Sequence, residues 1–267
     1  MTSEDAVAAA VARLARAQQT RVPCEPVRDL IGTDDLGAAY AVQQGLVQAR
    51  IAAGARVVGR KIGATSEAVQ TQLGVDQPDF GYLLDDMDVS DAASDSGARI
   101  SMRTLVQPRV EAEVAFVLGR DLDDADLTLE GVRDAVEAAL PALEIVDSRI
   151  ADWRIGFTDT VADNASSGLF VVGEDRRPLE ELEPREVTMS LTINGEERSS
   201  GLGTACLGDP LEALRWLAVQ AHRYGDPLRA GQVVLSGALG PFVPFGPGDK
   251  VEASISGFET LSVEFEE

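Results

Sequence analysis

Residues 108–118 have the sequence PRVEAEVAFVL. Side chains alternate between the two faces of a β-strand, so every second residue shares a face. The even-numbered residues from position 110 onward are all apolar, which predicts one face buried in a hydrophobic core. Glu111 and Glu113 share the opposite face with Ala115 and Val117. This alternation predicts a strand of a β-rich fold that carries two acidic side chains on one face.

Similar patterns predict further strands at residues 57–62, 143–146, 169–172, 187–193, 232–236, 251–255 and 261–265. Asn194-Gly195 follows one of them and is a strong hairpin signal. Helical patterns fall at residues 4–18, 34–53, 129–139 and 210–224, with one or two helical turns at 66–73. Thr33 or Asp34 is suited to cap the second helix, and Gly54 to end it. The composition of residues 74–81 and 91–98 predicts loops.

These elements predict an α+β protein rather than a doubly wound sheet. A helical part at residues 1–56 is expected to pack on a β-rich body at residues 57–267, and the two are expected to form one structural unit. No glycine-rich phosphate loop follows a predicted strand, which argues against a nucleotide cofactor.

The chain has 267 residues and a formal net charge of -22. A surface this acidic repels nucleic acids and anionic lipids, so we expect neither as a partner. No apolar run approaches the roughly 20 residues that cross a bilayer. Residues 1–5 are polar and acidic and lack the basic start of a signal peptide, so a cytoplasmic protein is expected.

Cysteine and histidine are scarce in this chain. Cys24 and Cys206 lie far apart, which predicts two reduced thiols rather than a disulfide framework or a thiolate metal site. His222, the single histidine, falls in a predicted helix and is expected on its surface or in its last turn. A zinc site with several histidines is therefore excluded, and acid–base chemistry must fall to Lys, Asp, Glu or Tyr.

Glu111 and Glu113 stand roughly 6.5–7 Å apart on their shared face. On a face that becomes apolar they repel each other, and one of them tends to hold a proton. Glu144 lies in a similar apolar setting within residues 141–147. A divalent cation would offset both the repulsion and the burial of charge. Three carboxylates without His or Cys suit Mg²⁺ or Mn²⁺. The alternative is a solvated strand face, or ion pairs with Arg109 and Arg149.

Further motifs stand in a fixed order along the chain: KIGATS at 61–66, QLGVDQPDFG at 72–81, PRVEAE at 108–113, LPALEIVDSR at 140–149, VADNASS at 161–167 and SGALGP at 236–241. In this order they resemble the 2-keto-4-pentenoate hydratase family of the fumarylacetoacetate hydrolase superfamily, over roughly residues 5–265. The resemblance implies a mixed β-sheet roll or barrel. It also implies homo-oligomers, for which a pathway aldolase or decarboxylase is a candidate partner.

The resemblance further implies an active site that includes Lys61 and Asp79, beside Mg²⁺ or Mn²⁺ held by Glu111, Glu113 and Glu144. Asp79, on a Pro-anchored loop, is our candidate for the base or the group that positions water. Lys61 has small neighbours, Gly59 and Gly63, on its face of the strand. Its ammonium is expected to bind the substrate carboxylate or to act as the acid. Ser166 is a candidate hydrogen-bond partner of the substrate.

The implied reaction adds water to 2-hydroxypenta-2,4-dienoate, or an alkyl homologue, to give 4-hydroxy-2-oxopentanoate in the meta-cleavage degradation of aromatic compounds. Trp153 and the run at 237–241 favour a hydratase over a 4-oxalocrotonate decarboxylase, which starts from a similar 2-oxo acid. Acylpyruvate hydrolysis is a third alternative, but it needs a water-activating dyad that His222 is poorly placed to supply. A non-catalytic partner of a pathway enzyme is the alternative from another class.

Overall fold

The computed structural model describes residues 3–66, 70, 71, 75, 77–91 and 99–267. The chain begins with the helices α1 (Ser3–Thr20), α2 (Arg28–Ile31) and α3 (Leu36–Ala52). The buried residues of α1 recur at helical spacing, so one apolar stripe of this helix faces the core: Ala6, Ala10, Leu14 and Ala17. Asp35, and neither Thr33 nor Asp34, caps α3 by accepting a hydrogen bond from the backbone N–H of Ala38.

The later helices are α4 (Leu129–Arg133), α5 (Phe157–Ala162) and α6 (Pro210–Arg223). Among the described residues, none of the helices combines the length and the apolar character needed to cross a bilayer. The strands are β1 (Val57–Gly63), β2 (Asp79–Leu84), β3 (Arg99–Ser101), β4 (Pro108–Leu118), β5 (Val136–Asp147), β6 (Ser167–Val172), β7 (Thr188–Ile193), β8 (Glu196–Leu202), β9 (Val233–Leu235), β10 (Val243–Pro244), β11 (Lys250–Ile255) and β12 (Leu261–Glu266).

The first sheet is mixed and has the order β2-β1-β9-β4-β5-β6, with β10 added beside β4. β1 and β9 are parallel neighbours, whereas β4 is antiparallel to both β5 and β9. The sheet curls on itself, because the N–H of Val89, just beyond β2, donates to the carbonyl of Phe170 in β6. A curled mixed sheet with N-terminal helices confirms the predicted fold class.

The second sheet has the order β3-β12-β11-β7-β8. Asn194 and Gly195 join β7 to β8 with φ values of 54° and 80°, the left-handed conformation that two-residue hairpin turns require. The predicted hairpin is therefore confirmed. Along β7 and β11 buried residues alternate with more exposed ones, so this sheet buries one face.

The helix predicted at residues 129–139 is wrong in its second half. The helix α4 ends at Arg133, and the strand β5 begins at Val136 and continues to Asp147. Its Ala- and Leu-rich start resembles a helix, but β4 and β6 pair with β5 on either side and both of its faces are buried. A strand buried on both faces loses the alternation by which strands are recognised.

The loop predicted at residues 74–81 is also wrong at its end, because Asp79 is the first residue of β2. Asp79 and Phe80 pair with Gly63 and Ile62 of β1, so long-range pairing outweighs local composition. Strands β3, β8 and β10 were not predicted. The turns predicted at 66–73 and the loop predicted at 91–98 fall largely outside the described residues, at 67–69, 72–74 and 92–98.

Candidate active site and metal centre

Three buried glutamates converge on one face of the first sheet. Antiparallel pairing of β4 with β5 sets Glu144 directly opposite Glu111, and Glu113 follows two residues later on the same face. One carboxylate oxygen from each lies within 4.8 Å of the other two. The solvent-exposed fraction is 7% for Glu111, 0% for Glu113 and 1% for Glu144.

Burying three neighbouring carboxylates costs free energy when no cation is bound between them. Burial raises the pKa of Glu111 to about 8, and the neighbouring Glu144 adds to the rise. Burial also raises the pKa of Glu113 and Glu144. Among the described residues, Glu113 Oε1 and Glu144 Oε2 have no hydrogen-bond partner. Buried carboxylate oxygens that lack donors, with no nitrogen or sulfur ligand in the cluster, fit a hard divalent cation.

The alternative interpretation of these glutamates, a solvated face or ion pairs with two arginines, does not match the structure. The carboxylates are buried rather than solvated. Arg149 pairs with Asp163 instead and donates further hydrogen bonds to the carbonyls of Asp163 and Ser167. Arg109 stacks over the rings of Trp153 and Phe242, at 4.6 and 4.8 Å from their centroids.

Lys61 in β1 points into the same region and is 3% exposed. Its Nζ lies 3.1 Å from Glu144 Oε1 and donates to the carbonyl of Ala165 at 3.0 Å. Burial by itself would lower the pKa of Lys61, but the carboxylates of Glu144, Glu111 and Asp79 outweigh it and the pKa is raised. The side chain is therefore a protonated donor at neutral pH.

Asp79 is buried at the start of β2, opposite Gly63 of β1. Burial raises the pKa of this carboxyl, against the opposing effects of the Lys61 charge and of hydrogen bonds from Thr160 and the Gly63 N–H. The absence of a side chain at Gly63 is essential, because a Cβ there would lie 2.2 Å from Asp79 Oδ1 and 3.4 Å from Lys61 Nζ.

Ser166 lies on a turn whose backbone is left-handed at three successive residues, Asn164, Ala165 and Ser166, with φ values of 55°, 52° and 54°. Each such residue costs roughly 1–2 kcal/mol, so the surrounding structure must hold the turn. The side-chain amide of Asn164 does so by accepting from the N–H of Tyr82 at 2.8 Å and donating to its carbonyl at 2.9 Å. The Ser166 hydroxyl lies 3.5 Å from that of Thr160.

Several of these side chains open on a cavity of about 730 Å³, and Glu113 and Glu144 lie buried behind its wall. Its polar lining includes Lys61, Asp79, Glu111, Thr160 and Ser166, and much of the remaining wall is apolar: Val146, Trp153, Ile155, Leu202, Leu239 and Phe242. The structure thus brings together all the predicted site residues. It adds Thr160 and Phe242, which no local sequence pattern marked.

The single histidine lies elsewhere. His222 is in the last turn of α6, as predicted, with its Nδ1 3.0 Å from Asp123 Oδ1, and is absent from the described lining of the cavity. Cys24 and Cys206 are free thiols, also as predicted. The titratable and hydroxyl side chains in the described lining of the cavity are therefore carboxylates, the lysine and hydroxyls.

Comparison with known proteins gives concordant results. Residues 57–266 match the family described as fumarylacetoacetate (FAA) hydrolase C-terminal. The chain is 52% identical over 253 residues to a 2-keto-4-pentenoate hydratase from Paraburkholderia xenovorans, covering 95% of this chain and 92% of that protein. It is 45% identical over 231 residues to a 2-hydroxyhexa-2,4-dienoate hydratase from Comamonas testosteroni, covering 86% of each.

A solved structure extends the comparison to the fold. The 4-oxalocrotonate decarboxylase from Pseudomonas putida G7, complexed with magnesium and adipate, superposes with a TM-score of 0.92 at 30% identity, covering 99% of this chain and 98% of that one. The fold-type and family predictions are both confirmed. The chain belongs to the fumarylacetoacetate hydrolase family and, within it, to the 2-keto-4-pentenoate hydratases.

Proposed function

We propose that this protein is a metal-dependent hydro-lyase that adds water to 2-hydroxypenta-2,4-dienoate, or to an alkyl homologue, in the meta-cleavage degradation of aromatic compounds. The observation that carries the proposal is the buried cluster of three carboxylates beside Lys61 and Asp79, at a cavity whose described lining contains no histidine. Identity of about half the residues to named hydratases supports the choice of reaction.

Glu111, Glu113 and Glu144 would hold one Mg²⁺ or Mn²⁺, since three carboxylates suit a hard ion of either kind. When bound, the cation supplies electrostatic stabilisation to the carboxylate and 2-oxygen of the substrate. It would also neutralise the mutual repulsion that otherwise raises the pKa of these glutamates.

The reaction requires three events on the carbon chain. A proton adds at carbon 5 of the dienol while its 2-hydroxyl proton leaves, giving the 3-ene-2-oxo acid. The oxygen of a water then adds at carbon 4 while one of its protons leaves, and a proton adds at carbon 3, giving 4-hydroxy-2-oxopentanoate. Overall, one water is consumed and no oxidant or reductant is needed.

Two side chains of the site supply the proton transfers. Lys61, which the surrounding carboxylates keep protonated, acts as the acid: it gives a proton to carbon 5 and takes up the proton that the 2-hydroxyl releases. Asp79, whose pKa is raised by burial, takes a proton from the attacking water and returns it to carbon 3. The Ser166 hydroxyl, beside Thr160, donates a hydrogen bond to the substrate.

Two other reactions compete with hydration. Decarboxylation of 4-oxalocrotonate starts from a similar 2-oxo acid, and the decarboxylase of known structure shares the fold at 30% identity, well below the identity to the hydratases. Acylpyruvate hydrolysis with a histidine-containing dyad is disfavoured because His222 is held at the protein surface by Asp123.

The test is the loss of ultraviolet absorbance of the dienol with purified protein, with Mg²⁺ or Mn²⁺ and with chelator. We expect turnover that the chelator stops and either ion restores. Glu144→Gln should abolish it, whereas Glu137→Gln, an exposed glutamate of the same strand, should not. Release of carbon dioxide from 4-oxalocrotonate without hydration of the dienol would contradict the proposal.

The remaining expectations concern assembly and location. We propose that the enzyme is a cytoplasmic homo-oligomer that associates with an aldolase or decarboxylase of the same pathway. Light scattering of the purified protein tests the first part, and co-purification from cells grown on an aromatic substrate tests the second.

A further inference from the structure

We propose that Gly237 is a positioning residue for the metal site, which holds one oxygen of Glu113 so that this glutamate binds the cation through its other oxygen alone. The proposal rests on the metal-dependent function above and adds a residue that contacts neither substrate nor metal. The relevant geometry lies where β9 ends beside β4.

The β9 strand pairs with β4 up to Leu235, which lies opposite Ala115. Continued pairing would bring Ser236 beside Val114 and Gly237 beside Glu113. Ser236 keeps this register, because both its N–H and its hydroxyl donate to the carbonyl of Val114. At Gly237 the ladder is interrupted, and the N–H donates to Glu113 Oε2 at 2.7 Å.

A hydrogen bond to a charged carboxylate is among the strong ones and fixes the orientation of its acceptor. Glu113 Oε2 accepts this hydrogen bond from Gly237, whereas Glu113 Oε1 is buried without a partner among the described residues. Of the two oxygens, Oε1 is the one that has no other partner and is therefore better placed to bind a cation. The geometry therefore assigns single-oxygen binding to Glu113.

Only glycine fits this position. Gly237 has a φ of 111°, which a residue with a Cβ rarely adopts. A Cβ here would lie 2.5 Å from Cγ2 and 2.6 Å from Oγ1 of Thr65. In the next peptide unit, the Cys206 thiol donates to the carbonyl of Gly237 at 2.8 Å. Thr65 and Cys206 thus flank the residue whose N–H faces Glu113.

The principal test is Mn²⁺ affinity, measured by titration calorimetry and by the electron paramagnetic resonance of free Mn²⁺, without substrate. Gly237→Ala should weaken binding about 10- to 100-fold, the range typical when partners of metal ligands are removed. Gly248→Ala is the matched control, since Gly248 has a φ of 90° and a methyl group there would meet no atom within 4 Å. It should bind Mn²⁺ like the wild type.

A double variant tests whether the contact between the new methyl group and Thr65 causes the loss of Mn²⁺ affinity. Thr65→Ala removes both atoms nearest the new methyl group and leaves only the Thr65 Cβ position at 3.0 Å. Thr65→Ala/Gly237→Ala should therefore recover part of the lost affinity. Folded Gly237→Ala that binds Mn²⁺ within about twofold of the wild type would overturn the proposal.

Hydrogen exchange of the Gly237 amide tests the proposal even if Gly237→Ala does not fold. We expect protection in the wild type both with and without Mg²⁺, and exchange about tenfold faster in Glu113→Ala. Fast exchange in the Mg²⁺-loaded wild type would overturn the proposal. A wild type that binds neither ion would instead refute the metal-dependent function itself.

Discussion

Gly63→Ala is a one-methyl change that tests whether the position of Asp79 governs turnover. The new Cβ would lie 2.2 Å from Asp79 Oδ1, and ordinary contact begins near 3.4 Å, so the carboxylate must move by about 1 Å. Gly63 does not have the left-handed backbone that penalises alanine, so the strain falls on Asp79. A misplacement of about 1 Å can cost about 100-fold in rate, which corresponds to about 2.7 kcal/mol.

The assay is kcat/KM for the dienol, followed by ultraviolet absorbance at saturating Mg²⁺. We expect Gly63→Ala to lose about 100-fold while the protein stays folded, with a destabilisation of about 1–3 kcal/mol from overpacking. Gly246→Ala is the control, because a methyl group there meets no atom within 4 Å. It should behave like the wild type.

A double-mutant cycle tests whether Gly63→Ala lowers kcat/KM by displacing Asp79. If the methyl group acts through Asp79, Gly63→Ala should add little loss to a protein that already carries Asp79→Asn. Independent losses that multiply would show that the methyl group acts elsewhere, for example on Lys61 Nζ at 3.4 Å. Wild-type kcat/KM in Gly63→Ala would refute the importance of the Asp79 position.

Two substitutions and one labelling experiment test other parts of the protein. Lys61→Met should lower kcat about 10³-fold in the same absorbance assay, because it removes the protonated donor, and near-normal turnover would exclude that role. Trp153→Ala removes an apolar wall of the cavity and should lower kcat/KM about tenfold on 2-hydroxyhexa-2,4-dienoate but less on the pentadienoate, and equal losses would argue against a chain-length role. Burial raises the pKa of Cys24 to about 11, so little of the reactive thiolate is present at pH 8. Alkylation by iodoacetamide, followed by mass spectrometry, should be far slower than for free cysteine at pH 8 and should accelerate as the pH rises toward 11.

Local alternation was sufficient to predict the face that holds Glu111 and Glu113, because a strand has a strict two-residue period. It could not predict that Glu144 lies opposite Glu111, since that depends on the register of β4 against β5. Nor could it predict most of β5, whose two buried faces erase the alternation, or the start of β2, whose local composition is that of a loop. In each case the missing information is the pairing partner.

The parts of the site that escaped prediction are those created by close approach in three dimensions. Gly63 is needed because β2 brings the Asp79 carboxylate over it, and Gly237 because Thr65 packs against it. The left-handed turn at Asn164 depends on two hydrogen bonds to Tyr82, 82 residues away in the sequence. A glycine or asparagine in the sequence indicates a position that can adopt unusual backbone conformations. It does not indicate which neighbouring residue makes such a conformation necessary.

The negative charge of the protein explains why the site needs a positive charge besides Lys61 to bind an anion. The chain carries a net charge of -22, and the proposed substrate is an anion, so the long-range field opposes its approach. Within the site, Lys61 faces four carboxylates, from Glu111, Glu113, Glu144 and Asp79, which outnumber its single positive charge. A divalent cation on the three glutamates would change that balance by two units in the place where the substrate must bind. The cation held by this cluster would therefore offer the anion a local positive charge to bind, and it would reduce the negative charge of the site around it.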